Sequence, residues 1–401
     1  MAKIVALHEP ALGWARARFA TYYRDPPIDP PPEMAQREFA AFPFAQETMM
    51  RRHAALPTPA ALREYLGTTV PRHIYYSSAY YTHPAHPTMA AKAWRGADLI
   101  FDLDADHLRG AGALSYAVQL ALVKQQLKRL YDDFLEQDFG VDPARMQIVF
   151  SGGRGYHVHV RDERFRELSS GERRELVDYL SGAEVDVTAF IREERHRDEA
   201  TQRTRPFRSL ARPDAPGWRG RTTRGWLELL HRWESEGLEV ADADLRRAGA
   251  DPATARRLAR YLVEQHGAAR VRDGLSLEAF PIKVPTDLLA AVLRSAAVEV
   301  QGETDAPVTT DIHRLIRLPG SLHGGTGFRV LPLNRDELDA FDPMRDALTA
   351  SPGGGDVSVR LTEAVDYPFD PIVRGSAGET LGVPEPVGLF LILRGEAELP
   401  V

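Results

Sequence analysis

At 401 residues the chain is too long for one small core, and two or three packed units are expected. The 43% hydrophobic and 27% charged shares suit an ordinary globular protein, and a net charge of −7 argues against nucleic-acid binding by bulk charge. No run approaches the roughly 20 apolar residues of a membrane helix, the opening MAKIVALHEP lacks the apolar core of a secretion signal, and the absence of cysteine excludes disulfides and thiolate zinc, so a cytoplasmic protein without a membrane partner is expected.

In chain order, residues 1 to about 65 read as helical, interrupted by the stiff prolines Pro26-Pro27 and Pro30-Pro31-Pro32. His73 to Tyr81 is rich in Tyr and Ser and predicts a strand. ADLIFDLD predicts a clearer one, with Leu99, Phe101 and Leu103 on one face and Ile100, Asp102 and Asp104 on the other. Ala113 to Gln137 is helical, with Val118, Leu122, Leu127, Leu130, Phe134 and Leu135 as its apolar positions. MQIVF (146–150) and YHVHV (156–160) predict two strands around the link SGGRG. From about 161 to 275 the pattern turns charged and mostly helical. Its seven arginines from Arg203 to Arg224, against the single acid Asp214, either face phosphates or form a solvated surface. Strand character is expected to resume near Val308, a helix over Asp336 to Ala350, a flexible SPGGGD linker, and a strand at Leu389 to Leu393. Strands alternating with helices argue for an α/β or α+β core.

Three stretches carry chemistry. Asp102 and Asp104, two apart on a strand, project from one face about 7 Å apart. Apolar neighbours place them at a core edge, where two carboxylates repel unless a hard divalent cation such as Mg²⁺ or Mn²⁺ joins them. The plainer reading ends the strand at Asp102 and leaves both acids, with Asp106, on an exposed turn. In SGGRGYHVH, Ser151 and three glycines allow a sharp turn that offers N–H groups to an anion, and Arg154 adds a guanidinium fork for phosphate. His157 and His159 share a strand face, and one of them can reach the same phosphate. A hairpin whose glycines serve only the turn is the alternative. The third stretch, Asp305 to Phe328, supplies a further carboxylate, Arg314 and Arg317, then Ser321 and His323 in another glycine-rich turn.

FDLDAD, SGGRGYH and the DAPVTTDIHRLIRLPGSLHG block resemble, in order and approximate spacing, the small catalytic subunit of archaeal and eukaryotic DNA primase. YYSSAYY and RDELDAFDPMRDA resemble its archaeal branch, and the resemblance covers roughly residues 1 to 350. It implies an α/β catalytic domain with a smaller, mostly helical subdomain: here 1–175 with 276–350, and 176–275, followed by a linker and C-terminal segment over 351–401. It also implies two-metal synthesis of short RNA primers on single-stranded DNA from nucleoside triphosphates, with deoxyribonucleotide use left open, and a large primase subunit as partner. That subunit carries an iron–sulfur cluster in the family, which a chain without cysteine cannot build itself.

Carried over by position, Asp102, Asp104 and Asp305 are the metal-binding acids, with Asp311 the runner-up for the third. Ser151, Arg154 and His157 match the phosphate-binding turn, and Arg317 and His323 the groups that hold the incoming nucleotide. Two departures stand out. The stretch after the paired acids, HLRGAGALSYAVQLALVKQQ, offers only His107 where many members carry a zinc knuckle, so no structural zinc is expected. Gly325 stands where some archaeal relatives have lysine, so the triphosphate relies more on arginines. Two rival readings are a nuclease or phosphoesterase using the acids with His157 and His159, and an inactive nucleic-acid-binding or assembly subunit.

Overall fold

Two four-stranded antiparallel sheets carry Asp102, Asp104, His157 and Arg317 on their strands. In one, the strands run Leu315–Arg317, His73–Ser77, Phe39–Phe42 and Arg51–Ala54 in spatial order. In the other the order is Leu331–Leu333, Met146–Phe150, Gly155–Val160 and Leu99–Asp104. The computed structural model describes residues 7–45, 49–107, 114–182, 185–197, 204–265, 267–275, 277, 280, 284–299, 304–349 and 355–400. By packing, the chain divides into two units, one of 1–128, 141–174 and 304–401, the other of 129–140 and 175–303. Both sheets belong to the first.

The first unit is α+β. Ile100 from the aspartate strand, Phe39, Ile74 and Tyr76 from the neighbouring sheet, and Phe19, Leu62 and Leu66 from the helices Glu9–Tyr22 and Pro59–Thr69 share one buried cluster. A hydrogen bond of 2.9 Å between the Tyr76 hydroxyl and His159 Nδ1 joins the two sheets inside it. The expectation of helix throughout 1–65 fails at FAAF and RRHA, which are strands. Phe39–Phe42 is buried along its whole length between two partner strands. Shared backbone pairing there outweighs the modest helix preference of its two alanines.

Other expectations are corrected by burial. The apolar stripe of the helix Tyr116–Arg129 runs through Tyr116, Leu120, Val123 and Leu127, whereas Val118 is 45% exposed. Near Val308 the chain forms the short helix Ala306–Thr310, not a strand. Where a helix is expected over Asp336 to Ala350, the described residues 336–349 hold only part of a 3-10 turn at Arg335–Glu337 and one helical turn at Pro343–Asp346. Leu389–Leu393 is the core of the helix Glu385–Arg394, in which Val387 to Leu393 are all buried. A helix covered on every side shows no amphipathic period, so a short apolar run reads equally as a strand. It packs with a three-stranded sheet of Thr380–Pro384, Asp356–Leu361 and Ala397–Glu398, so the segment after the SPGGGD glycines is folded; of that linker 351–354 lie outside the described residues.

The second unit is mostly helical, with the helices Gly217–Glu236, Leu238–Arg247, Pro252–Glu264, Gly267–Gly274 and Thr286–Glu299. It also contains a hairpin of Arg192–Arg197 and Thr204–Ser209 that the sequence pattern did not indicate. Trp226, Trp233, Leu230, Leu258 and Leu262 are buried in it. The arginine run is not one surface. Arg221 is buried, paired with Asp138 at 2.8 Å and 3.6 Å from the Phe134 ring centroid, and is a core residue. Arg212 is exposed and pairs with Asp214, and Arg203 lies outside the described residues. Among the described residues no helix is long and apolar enough to cross a membrane.

Candidate active site

The aspartate strand pairs with the histidine strand Gly155–Val160 in a register that sets Asp102 opposite His157 and Asp104 opposite Gly155. Strand pairing thus runs through Asp104, and the expectation that both acids share a face at a core edge holds: Leu99, Ile100, Phe101 and Leu103 are buried while the two carboxylates are half-buried. Asp305 reaches the same edge from about two hundred residues away. Its amide donates to the Asp102 carbonyl at 2.8 Å, and the Thr304 hydroxyl lies 3.3 Å from both the amide and the carbonyl of Asp102. Asp305 starts the helix Ala306–Thr310 without capping it by its side chain. Asp311 ends that helix, and its carboxylate accepts the His313 amide at 2.9 Å.

All eight expected site residues line one cleft of about 790 Å³: Asp102, Asp104, Ser151, Arg154, His157, Asp305, Arg317 and His323. Two glycine turns form part of its wall. In the first, Ser151 Oγ accepts the Gly153 amide at 3.2 Å, the Tyr116 hydroxyl donates to the Gly153 carbonyl, and Gly152 has a φ of +75°. A side chain at Gly152 would meet Cβ of His323 at 2.7 Å, so the turns touch. The second turn is locked to the first by Thr326, whose hydroxyl donates to the Gly152 carbonyl at 2.5 Å.

The imidazoles in this region are neutral. His323 Nδ1 lies 3.2 Å from the Gly325 amide and 3.1 Å from the Thr326 hydroxyl oxygen, and Nε2 stands beside Gly153. Burial first, and Arg317 next, hold His323 well below its usual range. His157 sits with Nε2 at 3.5 Å from Asp102 Oδ1. Burial, then Arg317 and Arg314, push it down to about 3, so the ring is uncharged. His157 Nδ1 is buried without a hydrogen-bond partner among the described residues. His159 points into the core, bound to Tyr76, and does not line the cleft. The two imidazoles that a nuclease reading pairs, with ring centroids 6.0 Å apart, therefore do not both face the cleft.

Arg154 ion-pairs with Asp106 and lies 3.7 Å from Asp104, so it stands beside the acids as well as on the first glycine turn. Arg317 is held by His73 Nδ1 at 2.7 Å and the Tyr75 hydroxyl at 3.1 Å. The sequence reading gave no site role to His73, Tyr75 or Arg394, all of which line the cleft. Register explains the first two, because Arg317 pairs directly across from Tyr75. Among the described residues no three His, Asp or Glu side chains are gathered closely enough to hold an ion as they stand. The donor chemistry still suits a hard cation, since Asp102, Asp104 and Asp305 offer only carboxylate oxygens along one wall.

Four buried neutral histidines, His73, His157, His159 and His323, tie stability to pH. Each folded pKa lies below the unfolded value near 6.5, so the unfolded chain binds more protons and stability falls as pH drops. The loss begins near 6.5 and, for His157, ends near 3. Each histidine should cost about 1.4 kcal/mol per pH unit within its window. Urea unfolding at pH 7 and pH 5 should show this decline, and His159→Gln should make it shallower. An equal slope in the variant would show that His159 titrates alike in both states.

The chain matches the model of the family described as DNA primase small subunit over residues 101–335. It is 40% identical to the DNA primase small subunit PriS of Methanocella arvoryzae over 98% of this chain and 99% of that one. The PriS proteins of Haloarcula marismortui, 40% identical over 98% of this chain and 99% of that one, and Methanothrix thermoacetophila, 39% identical over 96% and 98%, are similar to it across the same span. With its acids, glycine turns and arginines drawn into one cleft, and with relatives matched over nearly their whole length, the chain belongs to the DNA primase small subunit family.

Proposed function

We propose that this chain is the catalytic subunit of a primase, joining nucleotides into short primers on a single-stranded DNA template, with the chemistry in the cleft of its first unit. The observation that carries this reading is the convergence of four separate stretches of sequence on that cleft: the acids of one strand, the SGGRG turn, Asp305, and the Arg317–His323 segment. Asp102, Asp104 and Asp305 would hold Mg²⁺ or Mn²⁺, which supplies charge neutralisation to the reacting phosphate and the primer hydroxyl. Asp305 is preferred to Asp311 because its backbone is bonded to that of Asp102, whereas the Asp311 carboxylate caps its own turn.

The chain's own groups bind and orient the triphosphate. Ser151 shapes the first turn, Arg154 offers its guanidinium, His323 presents Nε2 beside Gly153, and Arg317 is aimed by His73 and Tyr75. His157, neutral and beside Asp102, contributes an N–H without adding charge. A large primase subunit is the expected partner, and the exposed part of the arginine run is a candidate template contact. Primer synthesis from labelled nucleotides on single-stranded DNA with Mg²⁺ tests the reading. Strand loss in place of synthesis would support the nuclease alternative.

Arg154→Ala and His323→Ala should weaken nucleotide use more than template binding. Loss of one charge-assisted hydrogen bond costs about 1.5–3 kcal/mol, or roughly ten- to hundredfold in affinity. Nucleotide KM measured beside single-strand affinity checks this, and an equal collapse of both would show these residues to be misplaced.

A further inference from the structure

The C-terminal helix Glu385–Arg394 lies beyond residues 101–335, the stretch that the family model matches, yet Leu393 and Arg394 line the cleft. The helix is fastened from both sides. Arg18 binds Glu385, and Phe390 stacks on Phe328, with ring centroids 4.9 Å apart, directly after the second glycine turn. A side chain at Gly327 would meet Leu389 at 2.9 Å and Leu393 at 3.4 Å, so the helix backs that turn closely. The same helix reaches the first turn through Tyr116, whose hydroxyl binds the Gly153 carbonyl and whose ring centroid lies 5.1 Å from the Arg394 guanidinium.

Arg394 is thus held over the rings of Tyr116, Phe390 and Tyr367 at 5.1, 5.2 and 5.8 Å. Its Nε donates to the buried Glu396 at 2.6 Å, and Glu396 also accepts the Tyr367 hydroxyl at 2.8 Å. One edge of the fork is occupied. The side chain remains 25% exposed and lines the cleft. A guanidinium fixed by stacking and by one carboxylate beside a cleft has already lost most of the rotamer freedom that anion binding would remove. Gly325, on the second glycine turn, also lines the cleft and brings no side chain to it.

We propose that Arg394 is a further phosphate-contacting residue, the C-terminal segment's own contribution to binding the nucleoside triphosphate. This rests on the reading of the cleft given above. The helix and its aromatic rings position the cation, and the two glycine turns it braces supply the neighbouring donors. Glu396 orients the fork.

Replacing Arg394 alone leaves Glu396 buried beside Tyr367 without its cation, which endangers folding. The informative protein is therefore the double variant Arg394→Met with Glu396→Gln, which keeps the volume and removes both charges; Arg394→Lys keeps the charge and loses the fork. Binding of ATP and of AMP with Mg²⁺ should be measured by calorimetry on the full chain, with melting curves as the folding check. The expected result is at least about a tenfold loss of ATP affinity in the double variant, less than about a threefold change for AMP, and an intermediate ATP affinity for Arg394→Lys. ATP affinity unchanged within about twofold, or equal losses for ATP and AMP, would overturn the proposal. Binding is read without synthesis, so the two readings separate. A chain that binds ATP through Arg394 but makes no primer sinks the primase reading alone, and primers made by a chain whose ATP affinity ignores Arg394 sink this one alone.

Discussion

Asp104→Ala should abolish primer synthesis, lowering it by about 10³-fold or more, while leaving the unfolding midpoint unchanged or slightly raised. The catalytic part follows from what a polymerase site must do, which is to stabilise charge that develops on the transferred phosphoryl group; removing one such group typically costs two to three orders of magnitude. The stability part follows from local charge. Asp104 is partly exposed and makes no close hydrogen bond to a cation, with Arg154 3.7 Å away and engaged more closely with Asp106. Its loss removes repulsion among Asp102, Asp104 and Asp106 without stranding a buried partner. Synthesis on single-stranded DNA and a thermal melt together decide the matter. Near-normal synthesis would show that Asp104 is not needed for the reaction, and a collapsed melt would mean that the carboxylate is structural.

Gly155→Ala should be the most damaging single-methyl change in the cleft wall. A Cβ at Gly155 would lie 1.9 Å from the Leu103 carbonyl oxygen and 2.9 Å from Asp104 Cα, and both are backbone atoms of the paired strand. No side-chain rotation relieves that clash, so the strands must part where they present Asp104. A cost of about 3 kcal/mol in unfolding free energy is expected, together with loss of synthesis. Gly171→Ala is the matched control. It lies in the helix Ser170–Ser181 with its nearest neighbour at 3.9 Å, and alanine there should stabilise by about 0.5–1 kcal/mol. Urea midpoints for the two variants check both signs, and similar values would refute the close approach of the strands.

Much of the candidate site was legible because its chemistry lies within short stretches. The period-two alternation of LIFDLD announces both the strand and the face that carries its acids. SGGRG concentrates the glycines of a tight turn beside an arginine, and no packing information is needed to see it. What stayed hidden depends on pairing between distant segments. His73 and Tyr75 read as ordinary strand residues until Leu315–Arg317 pairs alongside and gives them Arg317 to hold. FAAF and GLFLILR are too short and too evenly apolar for their period to tell helix from strand, and their surroundings decide. His157 and His159 look alike along the chain. Only the second sheet separates them, placing Tyr76 against one while the other faces the cleft.

The unit that contains the cleft is assembled from three pieces of chain, and this sets a timetable. On a ribosome adding roughly 5–20 residues per second, about 10–40 s pass between the emergence of Asp102 and that of Asp305. The Arg18–Glu385 contact, 367 positions apart, waits longer still. Once the histidine strand Gly155–Val160 has followed, the aspartate strand has its partner but still lacks Asp305, the second glycine turn and the C-terminal helix. The intervening unit, meanwhile, has been made in full. The cleft is therefore closed last, from the C-terminal side, and a nascent chain stalled before residue 304 holds Asp102 and Asp104 without Asp305, Arg317 or the second glycine turn.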